Sequence, residues 1–116
     1  MVTSVISDDI NASHRQELRR GTAALACLTL LAVEPDYGYN LIGRLEALGI
    51  EIEANTLYPL LRRLEKQELL SSEWDTTESR PRKFYGTSDD GRALIALLRR
   101  DWAALTEAMG QIGENS

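Results

Sequence analysis

Two amphipathic stretches set close together constrain this chain more than any other feature. Leu41, Ile42, Leu45 and Leu48 recur at three-to-four spacing, Gly49 breaks the run, and Leu57, Leu60, Leu61 and Leu64 repeat the pattern. That period gathers each set on one side of a helix. Two one-faced helices on so short a link must pack against each other, as in a helix–turn–helix. The spacing predicts helices over about 39–48 and 55–67. Ahead of them, Arg15 to Val33 opens with charges and becomes almost wholly apolar, as the central helix of a core does. Glu34, Pro35, Asp36 and Gly38 mark the turn that follows it.

Beyond the pair the period changes. Leu70 to Trp74 and Arg82 to Thr87 read as two extended segments around a polar, turn-prone DTTESRP loop, hence a hairpin with a long tip. Ser88 is placed as an N-cap, with Asp89 and Asp90 complementing the dipole of a last helix. Its apolar residues are Leu94, Ile95, Leu97, Leu98, Trp102 and Leu105, and Gly110 and Gly113 are expected to end it. The fold class is therefore mainly α with a small β-hairpin: a winged helix–turn–helix followed by a C-terminal helix. Residues 1–13 are expected to be a disordered tail, 14–87 the winged domain, 88–110 the last helix and 111–116 a frayed end.

A helix–turn–helix followed by a hairpin suits double-stranded DNA, with the second helix of the pair in the major groove and the hairpin on the backbone or minor groove. Around the third helix, Asn55, Pro59, Arg62 and Lys66 lie opposite the leucine stripe, flanked by Tyr58 and Arg63. Arginine pairs bidentately with guanine and asparagine with adenine, while lysine meets phosphate. The expected reading face is Asn55, Thr56, Tyr58, Pro59, Arg62 and Arg63, with Lys66 beside it and Arg80, Arg82 and Lys83 as wing contacts. The same spacing allows a plainer reading, with Arg62 paired to Glu65 and Arg63 to Gln67 on a solvated face. Asn55 has an alternative as the helix N-cap. Pro59 removes a helical hydrogen bond and is expected in an exposed first turn. Of the aromatics, Tyr58 is expected to face DNA, Tyr37, Tyr39 and Tyr85 to fix turns and wing, and Trp74 to cover the core.

The net charge of −5 argues at first against a nucleic-acid partner. Between Glu53 and Gly86, however, the basic residues are matched by as many carboxylates, so the acidic excess lies wholly outside the reading segment. Enzyme chemistry lacks its parts. His14 is the sole histidine and has no cysteine nearby, which removes the usual zinc spacings and any supported Ser–His or Cys–His pair. No Gly-rich loop follows a strand. Cys27, the one cysteine, sits in an apolar run and reads as a reduced core residue. No signal-peptide pattern opens the chain and the apolar run at Thr22–Val33 is short of a membrane span, so a cytoplasmic protein without cofactor or metal is expected. A winged helix that binds another protein instead of DNA is the rival reading, since fold alone does not fix function.

From Arg19 to about Trp102 the chain also resembles the PadR-type regulators. The resemblance rests on Tyr37-Gly38-Tyr39, on Thr56-Leu57-Tyr58-Pro59 followed by Arg63-Leu64-Glu65, and on Arg82-Lys83-Phe84-Tyr85 leading to Gly91. It implies a homodimer paired through the first and last helices, in most members a repressor, and often one that a small aromatic ligand loosens from DNA. Thr56, Tyr58, Pro59 and Arg63 match the recognition-helix motif, and Arg82, Lys83 and Tyr85 the wing. Leu98, Trp102 and Leu105 are the residues expected at a dimer or effector surface, with packing the plainer role for Trp102. The single last helix places the chain among compact members. Gly86 and Thr87 depart from the family pattern and predict a looser wing base.

Overall fold

Ser7 sets where the first helix begins. Its hydroxyl accepts from the amide of Ile10 at 3.2 Å, and Asp8 and Asp9 occupy the first turn, where carboxylates complement the helix dipole. The helix α1 thus runs Asp8–Val33, seven residues earlier than the apolar period suggests. The expected tail of 1–13 is corrected over 8–13: a serine N-cap and two first-turn carboxylates start a helix without any apolar stripe. The computed structural model describes residues 6–114, so what is expected of 1–5 and of 115–116 lies outside the described residues.

After α1 come β1 (Asp36–Tyr37), α2 (Gly38–Ala47), α3 (Ala54–Lys66), β2 (Leu70–Asp75), β3 (Arg82–Thr87) and α4 (Asp89–Glu114). The sheet is antiparallel in the order β1-β3-β2, with Leu70 opposite Thr87, Asp75 opposite Arg82 and Tyr37 opposite Phe84. The strand β1 replaces part of the expected turn. Two residues are too few to show a period of two, yet they pair with the open edge of β3.

The core lies where α1, α2, α3 and the sheet meet: Cys27, Leu28 and Leu31 against Leu41 and Leu45, then Leu57, Leu61 and Leu64, with Leu70 and Tyr85 from the sheet. Burial pushes the Cys27 thiol up to about 12, so it stays neutral and unreactive in the core. The C-terminus of α1 carries no basic residue of its own. Arg44 of α2 supplies the charge, donating to the carbonyl oxygens of Leu30 at 2.8 Å and Glu34 at 3.0 Å, and Arg92 of α4 donates to Ala32 at 3.1 Å.

Both helices of the pair end alike. Gly49, at φ +79°, follows α2, and the amide of Ile50 returns to Leu45. After α3 the amide of Leu69 returns to Leu64 in the same way, but the left-handed residue is Glu68, at φ +62°. The wing base is pinned, contrary to the looser one expected. The hydroxyl of Thr87 donates to the carbonyl of Leu28 at 2.7 Å, and Gly86 packs against Pro35. Ser88 caps α4 as expected, accepting from the amide of Gly91 at 3.1 Å. The last helix passes Gly110 and Gly113 to Glu114, correcting its expected end at 110. Glycine lowers helix propensity but stops a helix only where the chain must turn left-handed.

Candidate nucleic-acid interface

Four leucines, Leu57, Leu60, Leu61 and Leu64, hold α3 against the core, and this orientation decides which side chains it offers. Asn55, Thr56, Pro59, Arg62, Arg63 and Lys66 are all exposed. The cap of α3 is Glu53, whose carbonyl takes the amides of Thr56 and Leu57, so Asn55 lies inside the helix with its amide side chain free of the capping alternative. Pro59 is the sixth residue of α3, beyond the first turn where it was expected. Having no N–H, it leaves the carbonyl of Asn55 without an intrahelical donor on this exposed side.

The rest of the surface divides into two flanks. On one, Tyr58 is half-buried against the start of α2: a Cβ added to Gly38 would lie 2.7 Å from the tyrosine ring. Tyr58 therefore spaces α3 from α2, which is why Tyr37-Gly38-Tyr39 needs its glycine, and it does not simply face outward. On the other flank, Thr56, Pro59 and Arg63 border an open cleft of about 1320 Å³ shared with Arg19 and Arg20 of α1. Sequence reasoning missed those two arginines, because a helix read as core offers no period that points a residue at a neighbouring helix.

Glu65 does not pair with Arg62. It accepts instead from the Ser72 hydroxyl and from the Lys83 ammonium at 2.9 Å. Arg62 makes no ion pair among the described residues, so the plainer reading of a self-paired face does not hold for it. Two of the three wing cations have partners within the protein. Lys83 is tied to Glu65, and Arg82 lies 3.6 Å from Glu78 with its guanidinium 4.0 Å above the Tyr37 ring. Arg80 is exposed at the tip and makes no ion pair among the described residues.

The outer face of the sheet is aromatic. Tyr37 meets Phe84 edge to face, its hydroxyl donates to Asp75, and Asp75 also accepts from the amide and hydroxyl of Thr77. The Tyr37 hydrogen bond holds the Asp75 carboxyl at about 2 and raises the tyrosine above its ordinary range. Trp74, expected to cover the core, is 63% exposed; it lies across from Lys83, whose ammonium is 5.5 Å from its ring. Tyr39 is also exposed and lies within the first turn of α2.

Far from α3, Leu98 is half-buried, while Trp102 and Leu105 are exposed on α4. No described helix is long and apolar enough to cross a membrane, and no described cluster of three His, Cys, Asp or Glu could hold a metal.

A three-helix core with a helix–turn–helix, a small antiparallel sheet at its side and an exposed polar face on the second helix of the pair defines a winged-helix protein. Residues 27–97 match the transcriptional regulator PadR-like family, and the chain belongs to it. It is 34% identical over 85 residues to the transcriptional regulator Rv3488 of Mycobacterium tuberculosis, covering 73% of this chain and 79% of that one. Among solved structures, a PadR family transcriptional regulator from Eggerthella lenta is similar with a TM-score of 0.88 and 49% identity, over 94% of this chain and 96% of the other. A PadR-like transcription factor from Bacteroides fragilis is similar at TM-score 0.73 and 33% identity, over 86% and 98%. The chain is a transcriptional regulator of this family, a class that acts by binding DNA, and not an enzyme.

Proposed function

We propose that the chain represses transcription as a homodimer seated on a near-palindromic operator, with α3 of each subunit in the major groove. The observation that carries this is the outward face of α3. Asn55, Arg62 and Lys66 stand exposed together while the helix's own carboxylate is turned to the wing. Arginine and asparagine there have the donor geometry to read guanine and adenine, and Thr56, Pro59 and Arg63 border them. Tyr58 fixes how deeply α3 can sit by holding it off α2. Lys66 and the wing-tip Arg80 meet phosphates. Two subunits joined through α1 and α4 would set their recognition helices roughly 34–36 Å apart, one turn of the duplex.

The exposed seam of α4 supports the dimer. Ile95, Leu98, Trp102, Leu105, Met109 and Ile112 repeat at alternating three and four, and from Trp102 onward the helix leaves this row uncovered. A small planar ligand lodged beside Trp102 would act only through its difference in affinity between two dimer shapes.

Fluorescence anisotropy tests the reading, with the DNA upstream of the protein's own coding sequence as probe and a scrambled duplex as competitor. Selective binding whose logarithm falls with log salt at about −0.9 per phosphate neutralised is expected. Arg62→Ala should cost about 1–3 kcal/mol and relax selectivity at one base position. Equal, weak binding to both duplexes, unaffected by Arg62→Ala, would favour an adaptor that binds protein.

A further inference from the structure

Glu65 is the sole acidic residue of α3, on a helix whose other exposed side chains suit a polyanion. A carboxylate there repels phosphate unless something neutralises it. Its two oxygens are taken by different strands of the wing: one accepts from the Ser72 hydroxyl of β2, the other from the Lys83 ammonium of β3 at 2.9 Å. One residue of α3 is thus tied to both strands of the hairpin.

An exposed ion pair alone contributes little and would yield to a phosphate. This one is restrained further. The side chains of Lys83 and Glu65 are only 28% and 29% exposed, and the ammonium lies 5.5 Å from the Trp74 ring on the neighbouring strand. The hydrogen bonds from Ser72 and Lys83 hold the Glu65 carboxyl below its usual range, and Glu65 in turn raises Lys83. The second base of β3 is also engaged, with Arg82 stacked over Tyr37 and paired with Glu78.

We propose that Glu65 is a positioning residue for DNA recognition: it docks the wing onto α3 through Ser72 and Lys83, and it withholds Lys83 from the phosphate backbone. This rests on the DNA reading above and deepens it. The wing then meets DNA through Arg80 at its tip, at an angle fixed by α3. Selectivity gains because the recognition helix and the wing approach the duplex as one body. It gains again because one fewer sequence-blind phosphate contact is made.

The test uses the full chain and two fluorescein-labelled duplexes: one selected in vitro from a random pool by the wild-type protein, the other its scrambled counterpart. Anisotropy is measured between 50 and 200 mM salt for the wild type, Glu65→Gln, Lys83→Met and the double variant, with thermal denaturation confirming that each is folded. In Glu65→Gln the freed lysine should steepen the salt slope by about 0.9 on both duplexes. That adds roughly a 3–4-fold loss across this range, while the preference for the selected duplex falls. Lys83→Met should lose the same preference without steepening the slope, and it tests the idea even where Glu65→Gln does not fold. In the double variant the slope should return to the wild-type value.

A shallower slope in Lys83→Met would show that the lysine already touches phosphate, and would overturn the proposal. A steeper slope that persists in the double variant would also overturn it, by assigning the effect to the lost carboxylate alone. Parallel slopes and equal preference in wild type and Glu65→Gln would remove the role of Glu65 and leave the DNA reading standing. Wild-type protein that selects no duplex would overturn the DNA reading itself.

Discussion

Glu68 occupies a backbone conformation that an L side chain adopts at a cost of about 1–2 kcal/mol. The turn after α2 solves the same problem with Gly49, and the two turns close with matching amide-to-carbonyl bonds. Glu68→Gly should therefore stabilise the protein by about 1 kcal/mol, raising Tm by roughly 4 °C. The bond from the Ser88 hydroxyl to the Glu68 carbonyl is made by the main chain and survives the change. Thermal denaturation followed by circular dichroism checks this, and an unchanged or lower Tm would refute it. The sequence was informative about the strongest single residues. The leucines of α3 and the glycine of α2's turn were readable because periodicity and turn chemistry act locally. Glu65 and Lys83 were not, since the partner of a charge on a helix depends on which strand folds over it. Local spacing pointed Glu65 at Arg62, and a contact eighteen residues away prevailed.

Among the elements, the wing shows most clearly what a sequence hides. Its two long strands were legible from composition and turn residues, but β1 came from the far side of α2 and was visible only as a turn. Tyr37 arrives with β1, bonds to Asp75 on β2 and lies under Arg82 of β3, joining all three strands on the outer face. Because the Asp75 carboxyl is held at about 2, below its unfolded value near 4, its contribution is present above about pH 4 and is lost as the pH falls through about 2. Tyr37 is shifted upward, so its share is full below about pH 10 and is lost as the pH rises through the raised value. Carbon-detected NMR should place the Asp75 midpoint near 2, and Tyr37→Phe should move it back toward the ordinary carboxylate range. A midpoint already ordinary in the wild type would dismiss the bond as a determinant of the wing. The joint between wing and last helix is tighter still. A Cβ on Gly91 would stand 2.3 Å from the Leu69 carbonyl oxygen and 2.6 Å from Thr87. Main chain fills that space, so Gly91→Ala must part α4 from the turn after α3. Overpacking of this kind costs about 1–3 kcal/mol, readable as a lower midpoint in urea denaturation.

At the scale of the molecule, the proposed dimer turns on how much of the two long helices is left uncovered. The chain measures 59 × 31 × 22 Å, long for its size because α1 and α4, each of 26 residues, extend past the core they share. The start of α1 is exposed, with Ile10 and Leu18 uncovered, and beyond Arg100 every described side chain of α4 is exposed as well. Single exposed apolar residues are ordinary on a soluble protein, but a seam at heptad spacing is not. Trp102, Leu105, Met109 and Ile112 are between 51% and 61% exposed, and all lie on that seam. Two such seams packed together would cover them, and the area needed for a stable pair, roughly 800 Å² per partner, is within reach of two long helices. Leu105→Glu places a carboxylate in the middle of the seam of both subunits, where it would be buried without a partner at a cost of about 3–5 kcal/mol. The residue touches none of the core leucines, so the winged domain should keep its Tm contribution while the pair separates. Sedimentation at micromolar concentration should show a dimer for the wild type and a monomer for the variant. Affinity for a two-half-site duplex should fall far more than affinity for a single half-site, because only the dimer gains from linking the two contacts. A wild-type monomer under those conditions would detach α4 from DNA recognition altogether. The long uncovered helix would then have to serve some other partner.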